Sequence, residues 1–360
     1  MLFLQCSFCG EKRLYNRSDY RCSCGNFYDI KVSNDFRINE NLSGFWRFLS
    51  VLPLEEESDI IGFGEQYTPL ELSKINNQNV WIKHDYLFPS GSYKDRGAAV
   101  LISRLKQEGI HEIVEDSSGN AGASIACYAA RAGIKCRIVV PEETSGNKIR
   151  QISAYGANVI KVSGGRERAA AEAIRLSSQI YYASHVSNPL FYQGIKTLAY
   201  ELVDQFKGKF PDKIIIPVGN GTLAIGLFLG FSEMIKYQLI QKMPAIIGVQ
   251  AENCAPMAGE VAGVLKPDIK KTIAEGIAIA EPRRKNQIIS AILGSGGCFL
   301  MVSEDEIINA LHNAMLQGYF IEPTSAVVWA AFSRYIHLFD NNEINILILT
   351  GHGLKTSVKQ

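Results

Sequence analysis

The sequence Pro89-Ser90-Gly91-Ser92-Tyr93-Lys94-Asp95-Arg96-Gly97 places one lysine between small residues and the start of an apolar helix, predicted over 98–105. A helix N-terminus presents free backbone N–H groups and the positive end of the helix dipole. Lysine stabilises the opposite end of a helix, so helix stability does not explain Lys94. The stretch leaves two interpretations open: a solvated lysine beside an Asp95–Arg96 ion pair, or an amine that bonds covalently to a cofactor.

A glycine turn in the second half of the chain suits the phosphate of such a cofactor. Gly219-Asn220-Gly221-Thr222 follows a predicted strand at 213–217 and opens an apolar helix. The N–H groups of the turn and the helix dipole favour a phosphate, and Thr222 adds a hydroxyl donor. A turn of this type also closes many plain strand–helix units. The spacing of a nicotinamide-binding fingerprint is missing. Pyridoxal phosphate, which bonds to lysine as a Schiff base, is the cofactor that the second interpretation of Lys94 implies.

Two further polar sites fit the same cofactor. The run Ser117-Ser118-Gly119-Asn120-Ala121 opens a predicted helix, where its hydroxyl and N–H groups can hold a carboxylate and Asn120 can donate to a cofactor oxygen. The alternative is an ordinary N-cap run, which serine favours. Thr350 ends the last predicted strand, at 344–349. A neutral hydroxyl beside a pyridine nitrogen does not hold that nitrogen protonated, which suits eliminations and replacements; the alternative is a threonine that only ends a strand.

Strands and helices alternate through most of the chain. Predicted strands at 110–115, 136–140 and 158–162, and again at 213–217 and 344–349, are each separated by helical stretches. This alternation predicts an α/β fold with open, mostly parallel sheets covered by helices. Ligands in such sheets bind beyond the carboxyl ends of the strands.

Length and charge narrow the class of protein. The chain has 360 residues, 47% of them apolar, and this length predicts two domains with an appendage. Its formal net charge is +1. That balance gives no argument for a nucleic-acid or membrane partner. No apolar run approaches the roughly 20 residues of a membrane span, and the N-terminus lacks the basic segment of a signal peptide. We expect a cytoplasmic enzyme that acts on a small molecule.

Four of the eight cysteines lie in two close pairs near the N-terminus. Cys6-x-x-Cys9 and Cys22-x-Cys24 can close a tetrahedral, structural Zn²⁺ site, which would stabilise about thirty residues that have little core of their own. The second pair is one residue shorter than the usual CxxC. The alternative is a ribbon without metal, with four unligated thiols.

Five motifs together resemble threonine synthase and its relatives, the fold-type II pyridoxal-phosphate enzymes. They are SGSYKDRG around Lys94, DSSGNAG around Asn120, PVGNGT at 217–222, IEPTSA at 321–326 and LTGHGLK at 349–355. The cysteine ribbon, WRFLSVLP and GEQYTPL are similar to that family too. The resemblance implies a tryptophan synthase β-like fold in a homodimer. The implied domains are a zinc-ribbon-like segment at 1–35, a large cofactor-binding domain at 36–98 and 199–360, and a small mobile domain at 99–198.

The resemblance also implies a role for each matching residue. Lys94 would bond to the cofactor and move the substrate α-proton, and Thr350 would face the ring nitrogen. The other cofactor contacts would be Asn120 to the ring oxygen and Gly219, Asn220, Gly221 and Thr222 to the phosphate. The substrate contacts would be Ser117, Ser118, Asn120, Ala121, Glu275 and Gly276.

The sequence departs from the family at one substrate contact. Where threonine synthases commonly carry Asn-Pro-Tyr-Arg, this chain has Asn188-Pro189-Leu190-Phe191, and phenylalanine cannot bind phosphate as arginine does. The implied activity is elimination of phosphate from O-phospho-L-homoserine and addition of water to give L-threonine. The alternatives are β-replacement or β-elimination on O-phosphoserine or serine, or a non-catalytic ligand-binding relative.

Overall fold

A computed structural model describes residues 2–144, 146–264 and 268–356, without the side chains of residues 147 and 148. The elements alternate as the sequence predicts. In chain order they are β1 (Leu2–Cys6), β2 (Lys12–Leu14), β3 (Tyr28–Val32), β4 (Leu70–Ile75), β5 (Gln78–Lys83), α1 (Lys94–Gln107), β6 (Glu112–Glu115), α2 (Asn120–Ala132), β7 (Lys135–Pro141), α3 (Gly146–Ala154), β8 (Asn158–Val162), α4 (Gly165–Leu176), β9 (Tyr181–Tyr182), α5 (Pro189–Ile195), α6 (Thr197–Gln205), β10 (Lys213–Pro217), α7 (Thr222–Lys236), β11 (Ala245–Ala251), α8 (Pro256–Val261), α9 (Lys285–Gly294), β12 (Phe299–Val302), α10 (Glu304–Leu316), α11 (Pro323–Arg334) and β13 (Asn345–Ile348).

Residue contacts divide the chain into two compact units. The first contains Met1–Gln66, Phe88–Ile195 and Lys355–Gln360, and the second contains Tyr67–Leu87 and Lys196–Leu354. The domain boundaries expected from the sequence stay a prediction, because a cluster of contacts need not be a unit that folds or moves by itself.

The first unit holds two sheets. The N-terminal ribbon is an antiparallel sheet in the order β2-β1-β3, and the larger sheet is parallel in the order β8-β7-β6-β9. A small core of Val114, Val139, Ala169, Ala173 and Tyr182 packs α4 against β6 and β7. The sheet is parallel because each strand returns through a helix, which is the connection that parallel neighbours require.

The second unit is built on a six-stranded sheet in the order β12-β11-β10-β13-β5-β4. All neighbours are parallel except β4 and β5, which are antiparallel. The central strands read as continuous apolar runs because they are buried, as the residues 346–348 of β13 are. Their side chains pack against α10 and α11 in one core cluster of this unit. The predicted α/β class with mostly parallel sheets is confirmed.

Local signals set the ends of several helices. Ser303 caps α10: its hydroxyl accepts from the Glu306 N–H at 3.3 Å, and the Glu306 carboxylate accepts from the Ser303 N–H at 2.7 Å. Pro323 occupies the first turn of α11, where its missing N–H costs nothing. One predicted helix over 193–206 is instead two, α5 and α6, which meet at Lys196. Within the described residues, no helix is both long and apolar enough to cross a membrane.

Candidate functional site

Lys94 is the first residue of α1, in the position expected from the sequence. A tight turn precedes it, with Gly91 at φ +82°. The buried Asp95 carboxylate accepts from the N–H of Ser90 at 2.7 Å and from the Ser90 hydroxyl. Burial raises the pKa of Asp95, while hydrogen bonds from serine hydroxyls oppose that shift. Lys355 donates to the Ser90 carbonyl at 2.8 Å, so the turn before Lys94 is held from both sides.

Two aromatic rings flank the Lys94 amine. Its Nζ lies 4.8 Å from the ring centre of Tyr93 and 5.8 Å from that of Phe191. Phe191 is fully buried on α5, and a Cβ on Gly97 would come within 2.5 Å of its ring. Only glycine at position 97 therefore lets the Phe191 ring lie against α1. Position 191, where the family resemblance implies an arginine, is therefore an apolar surface beside Lys94.

A buried acid–histidine pair lies behind Phe191. The carboxylate of Glu115, at the end of β6, pairs with Nδ1 of His185 and accepts from the His185 N–H at 3.3 Å. The His185 ring is 6.1 Å from the Phe191 ring. Burial raises the pKa of Glu115 well above its usual range, and Asp116 adds to the rise, while the His185 N–H and the charge of Lys94 lower it. Sequence reasoning missed this pair; its only sequence signal is a carboxylate at the end of a buried strand.

The turn of residues 117–121 begins α2, whose first helical residue is Asn120. The Ser117 hydroxyl accepts from the Gly119 N–H at 3.3 Å. A Cβ on Gly122 would come within 1.9 Å of the Ser117 carbonyl oxygen, so the turn closes tightly on the helix. Among the described residues no side chain caps α2 at Gly119, and a helix start of this kind can bind an anion. Lys94 and this turn belong to the same compact unit.

The turn of residues 219–222 connects β10 to α7 in the second unit. Gly221 has φ +66°, and a Cβ there would lie 2.3 Å from the Ile288 side chain. A Cβ on Gly219 would lie 2.8 Å from the Ile277 Cα. Thr222, the first residue of α7, is buried. Both glycines are therefore required by packing, and the bare backbone before a 15-residue helix is a suitable anion site.

Thr350 follows β13 and is fixed by Ser325 of α11. The Ser325 hydroxyl accepts from the N–H groups of Thr350 and Gly351, each at 2.9 Å, and lies 3.2 Å from the Thr350 hydroxyl. Both side chains are buried. Thr350 is thus held at the carboxyl end of a central strand, where open parallel sheets bind ligands.

The neighbouring Thr324 holds the loop of Glu275 and Gly276. Its hydroxyl accepts from the Gly276 N–H at 3.0 Å, and a Cβ on Gly276 would come within 2.7 Å of that hydroxyl. The next residue, Ile277, contacts Gly219 as described above. The sequence motif IEPTSA therefore carries two holding residues, Thr324 and Ser325, whose roles sequence reasoning did not identify.

The four N-terminal cysteines form one cluster. Their sulfur atoms all lie within 4.8 Å of one another, with Cys6–Cys24 and Cys9–Cys22 each at 3.5 Å. Four thiolates around a zinc ion, with Zn–S bonds of about 2.3 Å, would be about 3.8 Å apart. The Phe8 N–H points to the Cys6 sulfur at 3.5 Å, as in a metal-binding turn. The donor set and the spacing fit a small metal-binding segment, as predicted.

Three comparisons with known proteins show which family and which fold the chain is similar to. A family model described as pyridoxal-phosphate dependent enzyme matches residues 61–351. The threonine synthase of Methanocaldococcus jannaschii is 33% identical, over 98% of this chain and 92% of that protein. The threonine synthase of Bacillus sp. (strain ULM1) is 34% identical, over 86% of this chain and 89% of that protein. The structure of maize serine racemase superposes with a TM-score of 0.70 at 21% identity, covering 81% of this chain and 89% of that one, and so supports the fold alone.

Proposed function

Because the chain belongs to the family of pyridoxal-phosphate dependent enzymes, we propose that it eliminates phosphate from O-phospho-L-homoserine and adds water to give L-threonine. Its fold is the predicted fold-type II architecture, and it is a pyridoxal-phosphate dependent lyase. The observation that carries the choice of reaction is the likeness to threonine synthases, which extends over 98% of the chain. The matches to two serine racemases and a threonine deaminase have sequence identities of only 21% to 25%.

The residues present fit the cofactor. At positions 219 and 221 any Cβ would collide with neighbouring atoms, so only bare backbone fits at the start of α7, where a helix N-terminus favours a phosphate. We assign the phosphate to Gly219, Asn220, Gly221 and Thr222. We assign the covalent bond to Lys94, the contact with the ring oxygen to Asn120, and the contact with the ring nitrogen to Thr350.

Each of these residues has a physical task in the reaction. The bound cofactor supplies an electron sink for the bonds at the substrate α-carbon. Ser117, Ser118 and the N–H groups at the start of α2 would orient the substrate carboxylate. Nζ of Lys94 would then accept and return the α-proton, since its turn is held rigid by Asp95. Glu275 and Gly276 would line the cofactor ring, as the family resemblance implies.

The neutral hydroxyl of Thr350 favours this class of reaction. A carboxylate at the ring nitrogen would hold it protonated and strengthen electron withdrawal, whereas a hydroxyl does not. Ser325 fixes the hydroxyl in place through the main chain. The resulting weaker electron withdrawal suits elimination and replacement of a leaving group.

A second candidate function is favoured by Phe191. The apolar ring beside Lys94 offers no charge to a substrate phosphate. Lys196, which follows α5 in the chain, is fully buried, and its amine is paired with Glu233 at 2.8 Å. The side chain of Lys148 lies outside the described residues. This observation supports β-replacement or β-elimination on O-phosphoserine or on serine.

The two candidates are separated by one assay on the purified holoenzyme. Phosphate release is measured with O-phospho-L-homoserine and with O-phosphoserine side by side, and threonine or keto acid is identified in each mixture. Release with threonine formation supports the first candidate, and release from O-phosphoserine alone supports the second. If the protein binds the cofactor but releases phosphate from neither compound, both phosphorylated substrates are rejected. Formation of keto acid from serine would then support β-elimination on serine.

Lys94→Ala tests the cofactor assignment directly. We expect the variant to lose the visible absorption of the bound cofactor and all measurable turnover, because no amine remains to bond to it. Lys106→Ala is the matched control, since Lys106 is exposed on the same helix. A visible band that is unchanged in Lys94→Ala would remove the assignment.

We also propose that the cysteine cluster holds one structural zinc ion per chain, bound by Cys6, Cys9, Cys22 and Cys24. Four sulfur ligands leave no open position, so the metal has no catalytic role. Elemental analysis of the purified protein should give about one zinc per chain, and Cys24→Ser should lower it. A fully folded protein without metal would contradict the zinc site and leave the enzyme assignment unaffected. The expected homodimer stays a prediction that sedimentation equilibrium tests.

A further inference from the structure

Tyr20 lies within the ribbon, two residues before the second pair of cysteines. Its carbonyl accepts from the Tyr28 N–H at 3.1 Å, and Cys22 donates its N–H to the Asn26 carbonyl at 2.8 Å. A bridge between Arg21 and Phe27 lies between these two bonds. The position of Tyr20 therefore depends on the same hairpin that presents Cys22 and Cys24 to a metal.

The Tyr20 hydroxyl makes two hydrogen bonds outside the ribbon. It donates to the Tyr182 carbonyl at 2.7 Å, and it accepts from the Asn188 amide at 3.3 Å. These bonds join residues more than 160 positions apart, so they are tertiary contacts of the ribbon with β9 and with the residue before α5, in the same unit.

Each contact continues to a part of the candidate site. Asn188 is buried and accepts from the Leu190 N–H at 3.0 Å, and so fixes the start of α5, which carries Phe191 beside Lys94. The hydroxyl of Tyr182 donates to Asp116 at 2.7 Å, directly before the turn of residues 117–121.

A second bond from the ribbon reaches the same helix. Gln193 of α5 is buried and donates its amide to the Ile30 carbonyl of β3 at 3.1 Å. The ribbon therefore holds α5 near both of its ends, through Asn188 and through Gln193.

We propose that the metal-closed ribbon is a positioning element of the cofactor site, and that Tyr20 is the positioning residue through which closure of the cysteine cluster orders α5 and the turn of residues 117–121. This inference rests on the proposed cofactor and zinc sites. It gives the ribbon a part in the affinity for the cofactor, whereas a ribbon that acts only as a folding staple would affect global stability alone.

The experiment compares Tyr20→Phe with Tyr15→Phe in the full chain. Tyr15 is a matched control because it lies in the same segment and, among the described residues, its buried hydroxyl makes no hydrogen bond to β9 or α5. Zinc content, the dissociation constant for pyridoxal phosphate, and amide hydrogen exchange over residues 181–195 without cofactor are measured for each protein. The wild type and both variants are studied with zinc and after treatment with a chelator.

We expect zinc-loaded Tyr20→Phe to keep its zinc but to bind the cofactor up to about tenfold more weakly, the range of one net hydrogen bond. Exchange over residues 181–195 should be faster than in wild type, and Tyr15→Phe should match wild type in every measurement. Removal of zinc should weaken cofactor binding and speed up exchange in wild type in the same way. In Tyr20→Phe, removal of zinc should have a smaller further effect on both, because the two changes break the same connection.

The proposal is overturned if zinc-loaded Tyr20→Phe matches wild type in both cofactor affinity and exchange. It is also overturned if the fold-changes in the dissociation constant caused by zinc removal and by the substitution multiply, because the two changes would then act independently. If chelation unfolds the protein, the comparison of the two zinc-loaded variants decides. If the wild type binds no cofactor, the proposed function fails, and hydrogen exchange in the cofactor-free protein still tests the coupling separately.

Discussion

Gly221→Ala tests whether the turn before α7 requires glycine for the reason that the geometry gives. Gly221 has φ +66°, and an added Cβ would lie 2.3 Å from the buried Ile288 side chain. A left-handed conformation costs a residue with a Cβ about 1–2 kcal/mol. Overpacking a filled site costs about 1–3 kcal/mol more. We expect the free energy of unfolding of the cofactor-free protein to fall by about 2–5 kcal/mol.

Gly296→Ala is the matched control in the same unit. Gly296 has φ +77°, but no described atom lies within 4 Å of the position of its Cβ. The control should therefore lose only the conformational part, about 1–2 kcal/mol. Urea unfolding measures both losses, provided that the slope with denaturant is unchanged.

Cofactor binding gives the second measurement on the same three proteins. If the turn holds the phosphate, its displacement in Gly221→Ala should weaken binding of pyridoxal phosphate by about tenfold or more, which corresponds to about 1.4 kcal/mol. Gly296→Ala should bind like the wild type. Equal stability losses in the two variants would refute the packing argument, and unchanged cofactor affinity in Gly221→Ala would refute the assignment of the phosphate to this turn.

Two other substitutions test the second unit. Ser325→Ala removes the acceptor of the Thr350 and Gly351 N–H groups, and each buried unpaired group costs about 1–3 kcal/mol, so we expect a stability loss of about 2–6 kcal/mol in urea unfolding. A loss under about 1 kcal/mol would mean that another acceptor replaces the hydroxyl. His84→Gln tests a pH dependence: desolvation lowers the pKa of His84 below its ordinary value of 6.5, although Glu71 opposes the shift. The unfolded chain then binds the proton more readily, so wild-type stability should fall as the pH drops below 6.5, and the variant should lack this part of the slope. Parallel pH profiles of wild type and variant would contradict the assignment.

The sequence by itself determined the class of fold, and it predicted the residues of the candidate site. Alternation of buried apolar runs with helical stretches was enough for the parallel sheets, because a strand buried on both faces must be apolar along its length. The positions of Lys94, the turn of residues 219–222 and the four cysteines were also evident, since each is a short stretch whose residues act together.

Tertiary structure alone decided what holds these groups in place. The buried Glu115–His185 pair and the bond of Tyr20 to Tyr182 join residues 70 and 162 positions apart. Ser325 and Thr350 meet across 25 residues. No spacing rule predicts such contacts, because a side-chain hydrogen bond depends on which elements become neighbours in the fold. A single polar residue in the sequence does not indicate which distant residue it will bond to. The sequence therefore predicted which residues form the candidate site, and the packing of the elements decided which residues hold them in place.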